Sequence, residues 1–150
     1  MLARYFAYGS NMDAARVAQR GLRVVTRQGA ILVDHRLVFD KMAGEHSGAG
    51  HANIVRAPGE IVEGAVYELS EPAEILKMDP YERAPVNYTR EAVALAVGSV
   101  TLWAWTYYAN AARRAAHLRP TRDYLDHLLA GTDLLSESYS ARLRALDCAS

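Results

Sequence analysis

Cysteine is almost absent from the sequence, which contains only Cys148. A single thiol cannot form a disulfide within the chain or a thiol-rich metal site, so we expect neither. Long hydrophobic runs are also absent, and the N-terminus lacks the basic region followed by an apolar stretch that marks a secretion signal. These absences argue against a membrane protein and predict a cytoplasmic location.

Neither sign of charge is in excess, because 17 lysine and arginine residues balance 17 aspartate and glutamate residues. Without a basic excess, nucleic acid is not an expected partner. Apolar residues make up 51% of the 150 positions and charged residues 23%, which is typical of a globular protein. This length predicts a single domain over residues 1–150 and leaves open a homodimer.

The most informative stretch is residues 5–12, Tyr-Phe-Ala-Tyr-Gly-Ser-Asn-Met. Its aromatic and apolar residues predict a strand over residues 2–8 that breaks at Gly9, because glycine tolerates unusual backbone dihedrals. Ser10 or Asn11 is then expected to cap a helix. A strand that turns into a helix leaves backbone N–H groups free, so we expect a site for an anion such as a carboxylate at Gly9 and Ser10. An ordinary strand with a tight turn is the alternative.

The rest of the pattern predicts a mixture of strands and short helices. Strands are expected over residues 23–26, 29–39, 52–56, 61–69, 88–96 and 100–108, with a turn at 57–59 and a hairpin at 98–99. Short helices are expected to open at Ser70, Thr121 and Ser136, whereas residues 42–51 predict a loop and residues 109–119 are helical or irregular. This order is not a regular βαβ alternation, so we predict an α+β fold around a curved, mostly antiparallel sheet.

Other polar and aromatic side chains are better explained as loop or core residues than as parts of a functional site. Glu45, His46 and His51 match no metal-binding spacing and lie among glycines, so we expect a flexible polar loop there. His35, Trp103 and Trp105 are expected in the core.

Four segments, in this order along the chain, resemble the γ-glutamylcyclotransferase family, which includes the AIG2-like proteins. They are the octet; residues 51–69, with a Pro-Gly turn and a Gly-Ala-Val-Tyr sequence; residues 78–90, Met-Asp-Pro-Tyr-Glu-Arg-Ala-Pro-Val-Asn-Tyr-Thr-Arg; and residues 120–124, Pro-Thr-Arg-Asp-Tyr. The resemblance implies the family's small β-barrel-like fold with flanking helices. It also implies cyclisation of a γ-glutamyl amino acid or amine to 5-oxoproline, with release of the amine.

On this resemblance, Glu82 is the general acid and base. The substrate's own α-amine attacks its γ-carbonyl, so no protein nucleophile, metal or cofactor is required. One carboxylate can take the proton from the attacking amine and return it to the leaving amine, if partial burial raises its pKa toward the working pH. The resemblance further implies that the substrate is bound by Tyr5, Tyr8, Gly9, Ser10, Asn11, Tyr88 and Tyr124.

Several alternatives remain at this level. Glu82 could instead be a surface carboxylate paired with Arg83 or Arg90, and Tyr88 and Tyr124 could be packing residues. The family usually has glycine after its glutamate, where this chain has Arg83. The enzyme could also be a γ-glutamyl-amine cyclotransferase that removes a γ-glutamyl protecting group, or the protein could bind a small molecule without turning it over.

Overall fold

The computed structural model describes residues 2–149. Five strands, β1 (Arg4–Ala7), β2 (Val24–Met42), β3 (Gly50–Leu69), β4 (Tyr88–Val97) and β5 (Val100–Ala109), form a closed barrel in the order β1-β3-β2-β4-β5. All neighbouring strands are antiparallel except β1 and β5, which are parallel. The predicted α+β class, with a curved and mostly antiparallel barrel-like sheet, is therefore confirmed.

Three short α-helices accompany the barrel in the described residues: α1 (Ala14–Gln19), α2 (Arg122–Leu129) and α3 (Glu137–Arg144). Single 3₁₀ segments lie at Ser10–Met12, Pro72–Lys77, Ala111–Arg113 and Thr132–Leu134. Within residues 2–149, none of the helices has the length and apolar character needed to cross a membrane.

The strands β2 and β3 are longer than predicted, because an expected turn is absorbed as a bulge. The register of the β2–β3 ladder jumps at Asp34, opposite residues 57–60, and both strands continue beyond the jump. Gly59 has a φ of 83° and donates its N–H to Oδ1 of Asp34 at 2.9 Å. The turn chemistry of residues 57–59 therefore bends a continuous strand instead of reversing the chain.

The two C-terminal helices begin where the sequence predicts. The side-chain oxygens of Thr121 and Ser136 accept from the N–H groups of Tyr124 and Tyr139, each at 3.2 Å. Both helices pack their apolar faces together through Leu125, Leu128, Tyr139 and Leu143. Ala149 pairs with Thr121, so the end of the described chain is attached to this helical layer.

Two of the predicted helix starts are wrong. The N-cap of α1 is Asp13, whose carboxylate accepts from the N–H of Ala15 at 3.1 Å; Ser10 and Asn11 form a 3₁₀ turn before it. Ser70 does not cap the next segment, which is a 3₁₀ turn with Glu71 at its N-cap position. Within this 3₁₀ segment, the carboxylate of Glu74 accepts from the N–H of Arg23 at 2.8 Å. This contact joins residues that are far apart in sequence, so the local pattern could not predict it.

The expected core positions of His35 and Trp103 are also wrong. Trp103 is 56% exposed. Successive residues of a barrel strand face opposite sides, and the next residue, Ala104, is the one that points into the barrel and is fully buried. Trp105 shares the outer face and is partly buried beneath the guanidinium of Arg90, which lies 4.4 Å from the ring centroid. His35 is only partly buried, and its Nδ1 lies 2.8 Å from the carbonyl of Val33 on the surface.

Candidate active site

A cavity of about 340 Å³ opens beside the C-terminal end of β1. All eight residues predicted for the site line it: Tyr5, Tyr8, Gly9, Ser10, Asn11, Glu82, Tyr88 and Tyr124. They come from four separate parts of the chain, namely β1 with its following turn, the segment before β4, the first residue of β4, and α2. Barrel closure thus brings the two most diagnostic segments of the sequence to one place.

The turn after β1 leaves backbone donors facing this cavity. Gly9 and Ser10 lie beyond the last residue of the strand, and their carbonyls close the turn by accepting from Met12 and Asp13 at 3.0 and 3.2 Å. Within residues 2–149, no backbone carbonyl accepts from the N–H of Gly9 or Ser10. Both groups therefore lie outside the sheet ladder; the N–H of Gly9 can donate to an anion, whereas that of Ser10 also has the hydroxyl oxygen of Tyr124 as a nearby acceptor.

Close packing explains why residue 9 is glycine. A Cβ atom at Gly9 would lie 3.0 Å from Cβ of Ala52 and 3.1 Å from the hydroxyl of Tyr124. The helix dipole contributes less than predicted, because α1 begins only at Ala14 and has six residues. The donors at this turn are thus local N–H groups in a narrow space.

Asn11 links this turn to Glu82. Its side chain is 3% exposed, and Nδ2 donates to the hydroxyl of Tyr5 at 2.8 Å and to Oε1 of Glu82 at 3.2 Å. Oδ1 accepts from Arg20 at 3.2 Å, and the backbone carbonyl accepts from Tyr67 at 2.6 Å. These contacts occupy both amide hydrogens, so the Asn11 side chain serves to position Tyr5 and Glu82.

Glu82 points into the cavity and is not a surface ion-pair residue. Burial raises the pKa of its carboxyl group, while Arg20, Arg16 and Lys41 oppose that rise. Neither Arg83 nor Arg90 forms a salt bridge with it; Arg90 pairs instead with Asp79, at 2.9 Å. A partly buried carboxylate with a raised pKa, one hydrogen bond from Asn11 and backbone N–H groups nearby has the properties of a general base.

Arg83 occupies the position after Glu82, where the sequence resemblance leads us to expect glycine. Its φ is 48°, in the left-handed region that glycine adopts most easily. Its carbonyl accepts from Val86 and Asn87 at 2.8 and 2.9 Å, so the turn after Glu82 is tightly bonded. A backbone conformation that favours glycine is therefore adopted here by an arginine.

The four cavity tyrosines that the sequence predicted for the site divide into two pairs according to where their hydroxyl protons go. Tyr8 donates to the carbonyl of Tyr107, and Tyr88 donates to the carbonyl of Ala52 at 2.9 Å, so both protons are committed to the backbone. Tyr124 accepts from the N–H of Ala52 at 3.0 Å, and Tyr5 accepts from Asn11. The protons of Tyr5 and Tyr124 remain available to a ligand.

Several cavity residues were not predicted from the sequence. They are mainly basic or polar: Arg16, Arg20, Lys41, His51, Arg83 and Asn87. The ring of His51 stacks on Tyr124 with 4.5 Å between centroids, and burial lowers its pKa to about 4, so it is neutral near pH 7. Among residues 2–149 no group of side chains is arranged to hold a metal ion. The i, i+4 spacing of Arg16 and Arg20 in and after α1 was a signal that could have placed both near the turn.

Comparison with known proteins identifies the family and supports the fold. The family described as gamma-glutamyl cyclotransferase, AIG2-like, matches residues 5–126. A solved structure named gamma-glutamyl cyclotransferase superposes with a TM-score of 0.83 at 22% identity, over 97% of this chain and 88% of that one. An uncharacterized protein from Homo sapiens gives 0.83 at 23% identity, over 97% and 88%. A gamma-glutamyl cyclotransferase specific to glutathione from yeast gives 0.65 at 14% identity, over 93% of each chain. No curated protein sequence matches the chain.

Proposed function

The chain belongs to the gamma-glutamyl cyclotransferase, AIG2-like family, and on this premise we propose that it converts a γ-glutamyl amino acid or amine to 5-oxoproline and the free amine. The observation that carries the proposal is the meeting of the Glu82 carboxylate and the Gly9–Ser10 turn in one cavity, with Asn11 bonded between them. A carboxylate near free N–H donors supplies both a proton acceptor and an anion site.

The proposed reaction is an internal aminolysis. The α-ammonium group of the substrate gives a proton to Glu82, and the resulting amine attacks the γ-carbonyl carbon. A new C–N bond closes the five-membered lactam while the original γ-amide C–N bond breaks, and Glu82 returns the first proton to the leaving nitrogen. The attacking nitrogen gives up a second proton as the lactam forms, and Glu82 transfers it to the departing amine, so the lactam keeps one N–H and the amine leaves as an ammonium. No water is consumed. Because nucleophile and carbonyl belong to one molecule, holding the reactive conformation provides much of the rate enhancement.

The electrostatics of the cavity support this role for Glu82. Burial favours the protonated carboxyl and raises the pKa of Glu82. Arg20 and Lys41 favour the carboxylate and limit that rise. A carboxyl group whose pKa is raised in this way is a better proton acceptor than an exposed glutamate and can still release the proton. We expect activity to rise with pH through the raised pKa of Glu82, because only the carboxylate can accept the proton.

The Gly9–Ser10 turn is proposed to bind the α-carboxylate of the glutamyl group or the developing oxyanion. Its two N–H groups have no backbone acceptor among residues 2–149, and the hydroxyl of Tyr124 lies against Gly9 and beside Ser10, so it adds a third polar group to the turn. Donors that are fixed before the substrate arrives need no reorganisation when charge develops on the oxygen.

The test is the product formed from matched substrates. We expect γ-glutamyl-alanine to yield 5-oxoproline and alanine, and N-acetyl-γ-glutamyl-alanine to be stable, because acetylation removes the nucleophile. A chelator is expected to have no effect. Glutamate as the primary product, or consumption of the acetylated substrate at a similar rate, would indicate a hydrolase. Tight binding without turnover of any γ-glutamyl amino acid or amine would indicate a binding protein.

A further inference from the structure

Asp79 lies three residues before Glu82 and connects the segment that carries Glu82 to the barrel. Its Oδ1 accepts from the hydroxyl of Tyr107 at 2.6 Å and from Nε of Arg90 at 2.9 Å, and its Oδ2 accepts from Nη2 of Arg90 at 3.3 Å. Arg90 belongs to β4 and Tyr107 to β5. A two-point pair with arginine, together with a short bond from a hydroxyl, fixes this carboxylate in both position and orientation.

The backbone couples Asp79 directly to Glu82. The N–H of Glu82 donates to the carbonyl of Met78 at 3.1 Å, and the N–H of Ala84 donates to the carbonyl of Asp79 at 3.0 Å. These two bonds form overlapping turns that contain both acidic residues. A displacement of Asp79 would therefore displace Glu82 as well.

Tyr107 couples Asp79 to Glu82 by a second route, through side chains of the cavity. Tyr107 is buried and lines the cavity, and its ring packs edge-on against that of Tyr5, with 5.9 Å between the centroids. The hydroxyl of Tyr5 accepts from Asn11, which also donates to Glu82. Burial and the bond to Asp79 both raise the pKa of Tyr107, so its hydroxyl stays protonated and remains a donor.

The charge of Asp79 acts on Glu82 against the basic residues of the cavity. Burial raises the pKa of the Glu82 carboxyl group, and the carboxylate of Asp79 adds to that rise. Opposing them are the cations Arg20, Arg16 and Lys41. The other ionisable groups that line the cavity are Arg83, the neutral His51 and tyrosines. Because Arg90 pairs with Asp79, removing one partner or the other should change the field at Glu82 in opposite directions.

We propose that Asp79 positions Glu82: its carboxylate, held by Arg90 and Tyr107, fixes the turn that carries Glu82 against β4 and β5. This inference rests on the proposed function and extends it to a residue outside the cavity lining. Asp79 does not reach the substrate, so its effect on the reaction passes through Glu82.

The experiment compares Asp79→Ala with Asp79→Asn through the pH dependence of kcat/KM for γ-glutamyl-alanine. Alanine removes every bond of the side chain, whereas asparagine keeps an Oδ1 that accepts from Tyr107. We expect Asp79→Ala to lower the plateau of kcat/KM by about 10- to 100-fold, because a base displaced by about 1 Å loses much of its effect. Asp79→Asn should recover part of that loss. In both variants the acidic limb should move to lower pH, because losing the negative charge lowers the pKa of Glu82.

Arg90→Met is expected to move the acidic limb in the other direction, to higher pH. The substitution leaves the charge of Asp79 without its partner, so that charge acts more strongly on Glu82. Thermal unfolding gives the folded fraction of each variant. Losses of kcat/KM that follow this fraction, with the limb at the parent's pH in all variants, would reduce Asp79 to a structural role and overturn the inference.

Asp133→Asn is the matched control. The carboxylate of Asp133 also pairs with an arginine through both oxygens, at 3.1 and 3.0 Å from Nη2 of Arg27, but neither residue lines the cavity. This variant loses the same charge and a similar pair. It should keep both the plateau and the acidic limb of the parent.

A direct titration of Glu82 separates this inference from the proposed function. The protein is isotope-labelled at the side-chain carboxyl carbon of glutamate, and the NMR signal of Glu82 is identified by its absence in Glu82→Gln. The pKa of Glu82 should fall in Asp79→Asn, rise in Arg90→Met and stay at the parent's value in Asp133→Asn. If the parent forms no 5-oxoproline, the proposed function fails, and this titration still decides whether Asp79 acts on Glu82. An unchanged Glu82 titration in Asp79→Asn would overturn the inference.

Discussion

Glu82 combines two properties that oppose each other in a single residue. Its burial raises its pKa, which suits the proposed role as a general base, and the same burial makes the ionised form costly in the folded protein. Asn11 and the basic residues around the cavity offset part of this cost. A residue held for chemistry in this way should be replaceable with a gain in stability and a loss of function.

We predict that Glu82→Gln lowers the rate of 5-oxoproline formation by about 10²–10⁴-fold, because the amide keeps the shape of the side chain but cannot transfer a proton. Substrate affinity should change little, since Oε1 of glutamine can still accept from Asn11. The measurement is kcat and the dissociation constant on the same preparation. A variant with the parent's kcat would remove Glu82 from the proposed mechanism.

The same variant has a pH-dependent effect on stability. The native pKa of Glu82 lies above its unfolded value, so the native state binds the proton more tightly, and the free energy of unfolding falls as pH rises through that interval. Glu82→Gln should therefore be more stable than the parent at pH 8 and gain less at pH 4. Thermal unfolding at both values checks this. An equal shift at pH 4 and pH 8 would contradict the charge-based explanation.

Tyr88 and Tyr124 provide a matched pair of substitutions, because both hydroxyls bond to the backbone of Ala52. Tyr88 uses its proton on the carbonyl, whereas Tyr124 accepts from the N–H and keeps its proton. We predict that Tyr88→Phe costs about 1–3 kcal/mol of stability by leaving a buried carbonyl unpaired, with KM nearly unchanged. Tyr124→Phe, in contrast, should raise KM, because it removes a hydroxyl proton that is available to the substrate. Steady-state kinetics and thermal unfolding of both variants distinguish the roles, and equal KM values would assign Tyr124 to packing alone.

At the scale of elements, the turn after Glu82 contains a non-glycine residue in the left-handed backbone region. The left-handed φ of Arg83 costs an L-residue roughly 1–2 kcal/mol, which glycine avoids. We predict that Arg83→Gly is more stable than Arg83→Ala by about 1 kcal/mol, since both lose the same guanidinium and differ mainly in backbone freedom. Chemical denaturation of the two variants gives the comparison. Greater stability of the alanine variant would show that residue 83 relaxes to a negative φ.

Elements determined by neighbouring residues were predictable, and those determined by distant contacts were not. Thr121 and Ser136 cap their helices because a side-chain oxygen reaches an N–H three residues ahead. Gly98 marks a hairpin that the structure places between β4 and β5. Residues 57–59 have an equally good turn sequence, but pairing with β2 on both sides of Asp34 keeps the chain running forward. The local sequence thus indicates that the chain bends, and strand pairing determines whether the bend reverses the chain or forms a bulge within one strand.

At the scale of the whole molecule, closure of the barrel assembles the site. Glu82 lies 71 residues from Asn11 in sequence and 3.2 Å from it in space. Composition and periodicity do not contain that proximity, so from the sequence it rested on the resemblance to a known family. The basic side chain of Lys41 went unpredicted because nothing in the local pattern of β2 distinguishes it from a solvated surface lysine.

Barrel closure depends on how closely β1 approaches β3, and Gly64 marks that contact. A Cβ atom at Gly64 would overlap the carbonyl oxygen of Ala7 and lie 2.7 Å from the Phe6 ring. Neither neighbour can move freely, since Phe6 is fully buried and Ala7 pairs with Ala65 in the ladder. An added methyl group must therefore push β1 away from the sheet.

We predict that Gly64→Ala destabilises the protein by more than about 2 kcal/mol, because overpacking against fixed backbone is among the costlier substitutions. Gly44→Ala is the matched control: a Cβ there meets no atom within 4 Å, and the residue lies in the exposed β2–β3 loop. Its effect should stay within about 0.5 kcal/mol. Because β1 ends at the Gly9 turn, displacement of β1 should also weaken substrate binding in whatever fraction of Gly64→Ala remains folded. Equal midpoints of unfolding for the two variants would mean that β1 can shift without opening the barrel.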